Sequence, residues 1–504
     1  MLLVRSCILL PFMLLLCFVL RAQESMSLLE RRVNCQIDSA TVEHILEKVV
    51  TDNDLFFSYN PDILPKQKCA VHLLNVTLGE LLQQILSSDQ YKIEIIDNQV
   101  IITLKEVSPI KLSGIIVEGK DDTAVPYATV AITGESIGTM TNIDGRFDFI
   151  IPWRLRDKPI SIRCLGFQPL ELSQNQLKNN PKIRLETMTI RLREIKVKPV
   201  IVTDILKNFR DKISENYESS TQLMITFYRE TITRDGDYIG VWEAIMEMLK
   251  SSYTRGAVDK IRFLKGRKSN FNKTFKDISL KIQGGPWYIT SLDIVKNLET
   301  FLNPEFESLY RYRFEQPINY NGRVTWVIRF SRKEDIDFPC YYGKILIDAD
   351  TYALVSAEFG LDKKSLKVNG ETFIKKEPRG YTTRPEGANY TVNYRIVGGR
   401  WQFYSARTDV IFKVKQNKEN FNAEYHSVSD ILVTQQYTFP HKARFGPDGL
   451  FRADDIFADR IGSFDPEFWE NYNVIKPDED LSKALREIEA KEKDLKIDDS
   501  ENEE

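Results

Sequence analysis

The sequence is poor in histidine and cysteine, with four of the first and six of the second in 504 residues. The histidines (His44, His72, His426, His441) lie far apart, and no cysteine pair has CxxC spacing, so a zinc-type ligand set is lacking. There is no HExxH helix, GxSxG elbow or phosphate-cradling glycine loop. An excess of one charge is missing too: 69 Lys and Arg stand against 72 Asp and Glu, a net charge of −3. No basic face of the kind that binds nucleic acid is implied. Beyond the first twenty or so residues there is no long apolar run, and a mean hydropathy of −0.31 argues against many membrane spans. The sequence thus nominates no catalytic, cofactor-binding or metal-binding residue, and the chain is not expected to be an enzyme.

The one apolar run is N-terminal. Arg5 precedes a stretch from Cys7 to Leu20, which is followed by Arg21-Ala22. A basic end, a short apolar core and a small residue form a secretory signal, with cleavage expected between Ala22 and Gln23. The run is shorter than the roughly 20 residues a bilayer requires, so the mature chain is expected to have no transmembrane span. Lipidation of Cys17 is disfavoured because Phe18, Val19 and Leu20 stay apolar where a polar mature end should open. Removal of residues 1–22 takes two arginines and no acid, so the charge becomes −5. Export permits disulfides. Of the remaining cysteines (Cys35, Cys69, Cys164, Cys340), Cys35 and Cys69 fall on two short strands of one small segment and could be bridged, the alternative being small buried hydrophobes.

The length suggests about three or four domains. Residues 30–106 read as βαββαββ. Strands at Val33–Ile37, Leu55–Tyr59 and Cys69–Leu74 alternate with helices carrying Val42, Ile45, Leu46 and Val49, then Leu78, Leu81, Leu82 and Ile85. Thr77-Leu-Gly-Glu80 is a capping box, and Tyr91–Ile96 and Gln99–Leu104 alternate as a hairpin across Asp97-Asn98. This order, with "FFSYNPDIL", "VHLLNVTLGELLQQIL" and "YKIEIIDNQVIIT", resembles the secretin and TonB short N-terminal domain. The resemblance implies a periplasmic protein-contact module, in which Tyr59 and Leu73 singly are core positions.

Residues 111–186 change to an all-β texture, with turns every 8 to 12 residues or so, as in a β-sandwich. Gly114, Pro126, Ala128, Val130, Gly138, Thr141, Asp144, Gly145, Phe147 and Gly166-Phe167 make the segment similar to the carboxypeptidase regulatory-like domain, a prealbumin-like sandwich. No HxxE pair or ligand cluster lies near it. Asp144-Gly145 reads as a turn needing positive φ and not as a metal ligand. A linker strand follows at 187–200, where Leu192–Val197 resembles the strand leading into the plug of TonB-dependent receptors. A plug and a barrel of about 22 strands need well over roughly 500 residues. Only 304 residues follow position 200, so the chain is not expected to be the transporter.

Residues 201–476 begin with a helical stripe (Val202, Ile205, Leu206, Phe209, Ile213, Tyr217) and continue as long alternating strands turning at Asp235-Gly236, Asp348–Asp350 and Gly398-Gly399. They predict a large antiparallel curved sheet or half-barrel. "GKILIDADTYALVSAEF" resembles the hairpin of periplasmic lipoprotein-carrier half-barrels, which would wrap an apolar ligand among Tyr341, Tyr342, Phe359, Trp401, Phe403 and Tyr404; core packing is the plainer reading. "FYRE" and "FDPEFWENYNVIKPDEDLSKAL" resemble an uncharacterised envelope family. Acids are plentiful (Glu243, Glu247, Asp335, Asp337, Asp348, Asp350), but Asp348 and Asp350 read as a solvated turn and no carboxylate pair is specified. The tail, 477–504, holds twelve acids and five bases and is expected to be a solvated, helical or disordered end.

The fold class expected is therefore multidomain and β-rich: a small α+β domain, a prealbumin-like sandwich, then a large curved sheet with a leading helix. The function expected is a non-catalytic, exported envelope protein of the periplasm or the periplasmic face of the outer membrane. It would act through protein contacts with envelope proteins, including TonB-system or outer-membrane components. A carrier or sensor of an apolar or lipid-like ligand is the alternative.

Overall fold

The computed structural model describes residues 28–487 except 54, 60–63, 66, 87–89, 97–98, 106–107, 189–200, 255, 271–280, 283–284, 321, 370–373, 377–379, 417–420, 440–444, 454 and 462–471. The signal segment with its Ala22/Gln23 junction, most of the linker strand and the end of the tail lie outside these residues. The chain divides into two compact units, Met1–Ser108 and Pro109–Glu504.

In the first unit, β1 (Arg32–Ala40) is followed by α1 (Val42–Asn53), β2 (Phe56–Tyr59), β3 (Cys69–Thr77), α2 (Leu78–Ile85), β4 (Tyr91–Ile96) and β5 (Gln99–Leu104). β1 pairs antiparallel with β3, while β2, β5 and β4 form a second sheet in that order. Both helices bury one stripe. Ile45, Leu46 and Val49 of α1 meet Leu78, Leu81, Leu82 and Ile85 of α2 in one core with Val71, Val100 and Ile102. Thr77 and Glu80 close the capping box reciprocally at 3.2 and 2.8 Å, which stabilises the start of α2 by about 1 kcal/mol.

Cys35 and Cys69 are not bridged in this structure. Leu73 stands opposite Cys35 and Ala40 opposite Cys69. Cys69 is thus four positions, roughly 13 Å, along β3 from the point facing Cys35. A disulfide spans Cα atoms no more than about 7 Å apart.

The second unit opens with the sandwich: β6 (Ile110–Glu118), β7 (Thr129–Ile132), β8 (Gly138–Met140), β9 (Arg146–Ile151), β10 (Ile160–Arg163), β11 (Leu170–Leu172), α3 (Gln174–Asn179) and β12 (Lys182–Leu185). One sheet runs β11-β10-β7-β8, the other β12-β6-β9, with β12 parallel to β6. Alternating residues Phe147, Phe149 and Ile151 of β9 meet Val130, Ile132, Ile160 and Ile162 of the opposing sheet. The buried Thr141 hydroxyl accepts from the Ala128 amide and donates to the Val125 carbonyl, both at 2.8 Å, so it ties two loops without an unsatisfied polar group.

After α4 (Val202–Asp211) comes one antiparallel sheet of ten strands. Its members are β13 (Gln222–Arg234), β14 (Asp237–Lys250), β15 (Lys260–Asn270), β17 (Tyr310–Tyr320), β18 (Arg323–Arg332), β19 (Tyr341–Asp348), β20 (Leu354–Leu361), β22 (Thr382–Val397), β23 (Arg400–Gln416) and β24 (Phe421–Thr438). Two short strands, β16 (Lys281–Ile282) and β21 (Ile374–Lys376), pair apart from it. The strand order is β15-β14-β13-β24-β23-β22-β20-β19-β18-β17. The chain therefore enters at the middle, runs out to one edge, crosses to the other and meanders back until β24 seals against β13. The Asp235-Gly236 hairpin turns with φ of 50° and 94°, the left-handed pair that matches strand twist.

Residues paired across an antiparallel sheet share a face. One row reads Ala244, Tyr228, Ile431, Ala406, Val392, Ala357, Ile345, Ile328 and Phe314 from β14 to β17. This apolar face is covered by the chain itself: Ile205, Leu206 and Phe209 of α4, then Ile289, Ile294, Val295, Phe301 and Leu302, then Phe451, Phe457 and Ile461.

Candidate functional site

The neighbouring row lies on the other face and is charged. From β15 to β17 it reads Arg267, Glu243, Arg229, Asp430, Arg407, Thr391, Glu358, Lys344, Arg329 and Arg313. Glu243 is gripped by Arg229 at 2.7 Å and by Arg267 at 2.6 Å. Asp430 takes a forked bond from Arg407 at 2.9 and 3.0 Å, and Glu358 meets Lys344 at 2.9 Å. Burial raises the Glu243 carboxyl, but the two guanidiniums outweigh it and hold the group below the usual carboxylate range. Thr391 is the one neutral rung.

The sandwich and the start of the tail are seated on this polar face. Tyr404 donates to the Thr139 carbonyl at 3.0 Å, Arg395 to Ser136 O at 2.6 Å, and the Arg407 guanidinium lies 5.5 Å from the centre of the Tyr127 ring. Residues 472–487 cross the junction. Asn473 bonds both backbone atoms of Ile150 at 2.7 and 2.9 Å, and Val474 O accepts from Thr139 at 3.1 Å. Ile475 O accepts from Arg229 at 2.6 Å, and Lys476 pairs with Asp148 at 2.8 Å. Leu481 and Leu485 then pack on Val241 and Tyr238. Residues 479–487 form a short helix in which Leu481 and Leu485, one turn apart, have an apolar seat on β14, while Glu479, Asp480, Lys483, Arg486 and Glu487 stay exposed. The sandwich and residues 201–476, expected as modules in series, belong to one compact unit.

Two cavities lie along the junction. One of about 230 Å³ is lined by Tyr127, Met140, Cys164 and Leu165 of the sandwich and by Ser356, Thr391, Asn393, Ser405 and Arg407 of the sheet. The other, about 420 Å³, is lined by Asn142, Asp144, Arg229, His426 and Asp478 to Leu481. Tyr127, Arg407, Asp430 and Ile475 line both, so the two share a wall. His426 bonds Asp409 at 2.6 Å, and that hydrogen bond raises the imidazole above its usual value.

A second charge cluster sits on the apolar side of the sheet. Lys250 is bonded to Asp259 at 2.5 Å and paired with Asp293; Lys296 reaches the same Asp259. Tyr394 donates to Asp293 at 2.7 Å. These side chains pin residues 293–296, part of the segment covering the apolar face, to the sheet. Burial also pushes the carboxyls of Glu230 and Glu299 up to about 7. Neither is perturbed by a second carboxylate: Glu230 meets the Tyr228 hydroxyl at 2.9 Å, and Glu299 an amide at Thr300. A paired-carboxylate reaction centre is not assembled from them.

The sequence candidates are dispersed. Asp144-Gly145 is a turn in which the Asn142 carboxamide accepts from the amides of Asp144 and Arg146 at 3.1 and 2.8 Å. Gly145 has φ of 72°, and a Cβ there would stand 2.4 Å from Ile116 O. Asp144 also accepts from the Glu479 amide at 2.8 Å, a role that sequence spacing gave no hint of across 335 positions. Asp350 is exposed, but Asp348 is fully buried: Arg323 clamps it, and the Thr351 amide and hydroxyl bond it at 2.8 and 2.7 Å. The solvated-turn expectation is corrected for Asp348, since a cation from β18 replaces the water. Glu247 pairs with Arg262 and Asp337 with Lys364, while Asp335 lies in the β18–β19 loop. Of the aromatics, Phe359 stacks on Tyr390 at 5.2 Å and Tyr341 packs edge-on against Phe359. Trp401 and Phe403 are buried, Tyr404 faces the sandwich, and Tyr342 is exposed. Of the linker strand, Thr187 bridges to Phe167 and the Met188 amide to Gly166 O.

Residues 112–197 match the CarboxypepD_reg-like domain family, so the sandwich is of that type. No curated protein matches the chain. Solved structures to which it is similar include a DUF1329 family protein from Desulfovibrio piger, at 10% identity over 48% of this chain and 95% of that one, TM-score 0.22. Lipovitellin is similar at 8% identity over 46% of this chain and 27% of that one, TM-score 0.22. MucB in complex with MucA(peri) is similar at 11% identity over 48% and 100%, TM-score 0.15. Scores this low carry no argument. No helix among the described residues is long and apolar enough to cross a membrane.

Proposed function

We propose that the chain is a non-catalytic, exported envelope protein that works through protein contacts, its first unit being a secretin and TonB short N-terminal-type module. The observation that carries this reading is the self-contained first unit, whose βαββαββ order closes around its own core. It keeps two large apolar side chains outside, Phe56 at 55% exposure and Leu74 at 62%. Phe56 opens β2, an edge strand of its sheet, where unpaired backbone groups favour contact with another chain. The N-terminal signal pattern supports delivery to the periplasm or the periplasmic face of the outer membrane, where TonB-system components would be the partners.

The test is in-cell cross-linking of the full chain against Phe56→Glu, Leu74→Glu and a chain lacking residues 30–106. Loss of the same envelope adducts in all three is expected. Adducts that survive deletion of the first unit would sink the reading. For the alternative, a carrier of an apolar ligand, room must come from the face where Phe301, Ile294 and Phe457 are packed. Native mass spectrometry showing no co-purified lipid on the full chain would dispose of it.

A further inference from the structure

We infer that the junction cavity over Thr391 is a binding site for a small neutral sugar, with Tyr127 as its aromatic clamp. The inference goes beyond the contact role of the first unit and does not depend on it. Its floor is the face of four central strands, with Tyr320 of the edge strand β17 and Met140 of the sandwich's edge strand β8 beside it. The floor offers side chains for recognition. Those present are hydroxyls and amides already linked to one another: Ser356 donates to Asn393 at 2.8 Å and Asn393 to Ser405 at 3.2 Å. Each of these groups keeps further donor or acceptor capacity.

Charge selects against cations and zwitterions. The lining carries Arg163 and Arg407 against Glu358 and Asp430. Arg407 is neutralised by Asp430 and Glu358 by Lys344, leaving hydrogen-bonding atoms on either side of the neutral rung Thr391; Arg163, on the sandwich side, is exposed and donates to Ser161 at 2.9 Å. A wholly apolar guest would desolvate this floor without replacing its bonds. The roof is more apolar: Met140, Leu165, Ile475 and the Tyr127 ring, beside Thr129 and Arg163. A guest with hydroxyls on one side and C–H groups on the other fits both walls, and that is a sugar ring.

Tyr127 supplies the second observation. It is 40% exposed and holds φ of 57°, a left-handed conformation that is a genuine outlier for so bulky a side chain. Its position lines both cavities, and strain of this kind collects at ligand clamps.

Saturation-transfer NMR on the full chain, with glucose, maltose and N,N′-diacetylchitobiose as probes, tests the site. At least one is expected to bind, and Tyr127→Gly, which suits the left-handed backbone, should weaken it at least about tenfold. Asn393→Ala should weaken it as well. The inference is overturned if none of the three sugars binds at tens of millimolar, if Tyr127→Gly binds as the parent does, or if glycine zwitterion or a neutral peptide displaces the sugar signal completely at equal concentration.

Discussion

Replacing Glu243 with Gln should unseat the charged row at its most buried point. The Glu243 side chain is 1% exposed, and its partners Arg229 and Arg267 are 8% and 10% exposed. In the variant, two buried guanidiniums lose their shared counter-charge, and the amide's own NH2 must face one of them. Breaking a buried pair in this way costs roughly 3–5 kcal/mol. For a unit this large that corresponds to a fall in Tm of roughly 4–6 °C. Glu315→Gln, which breaks the exposed pair with Arg329 on the same sheet, should cost under about 1 kcal/mol. The pH dependence has a definite sign. Because the folded Glu243 carboxyl is depressed, its contribution is complete above the unfolded value near 4.3 and is lost as pH falls toward the folded one. Wild-type stability should therefore drop on acidification through that window, and the variant's should drop less. Arg229 also holds Ile475 O, so amide exchange over residues 472–487 should quicken in Glu243→Gln and not in Glu315→Gln. Urea unfolding and hydrogen exchange measure these. A Glu243→Gln protein within about 0.5 kcal/mol of wild type, with the same acid limb, would refute the claim that this row holds the unit together.

Glu230, raised to about 7 by burial, costs stability once it ionises, so Glu230→Gln should stabilise at pH 8 by about 2 kcal/mol and much less at pH 5, read by urea unfolding at the two values. His426 should titrate above about 6.5 in NMR, and Asp409→Asn should bring it down; the stability it lends is present below the unfolded value and lost as pH rises through the folded one. Gly145→Ala should destabilise by more than about 1 kcal/mol, because the left-handed backbone and the Ile116 carbonyl both oppose a Cβ. The mature chain should show four reactive thiols in non-reducing denaturant, and a reductant should leave its Tm unchanged; two thiols would mean that a disulfide forms after all.

What could be read in the sequence was local. Strand alternation around Thr226–Thr233 and Tyr390–Val397 marks long strands because period two is written along the chain itself. The capping box at Thr77 spans three residues, and the Asp235-Gly236 turn only two. Register is not local. That Glu243, Arg229 and Asp430 share a row depends on β24 sealing against β13, and nothing near Asp430 in sequence announces Arg229. Asp348 was misread for the same reason: its own neighbours say turn, while Arg323 on the adjacent strand removes the water.

The tail shows how composition misleads when its partner is distant. Asp478, Glu479 and Asp480 read as a solvated acidic start; Glu479 and Asp480 are exposed, and all three also line a cavity that holds Arg229, Arg407 and His426. The Glu479 amide is bonded by Asp144 from the far end of the unit. Beside this acidic run the sheet's row places Arg229 and Arg407 two strands apart. Leu481 and Leu485 then add apolar burial that an acid run alone could not offer. The seat of residues 472–487 is thus written in the register of strands more than 200 positions earlier, so substitutions at Arg229 should loosen it more than charge-neutral changes within the helix at Ser482.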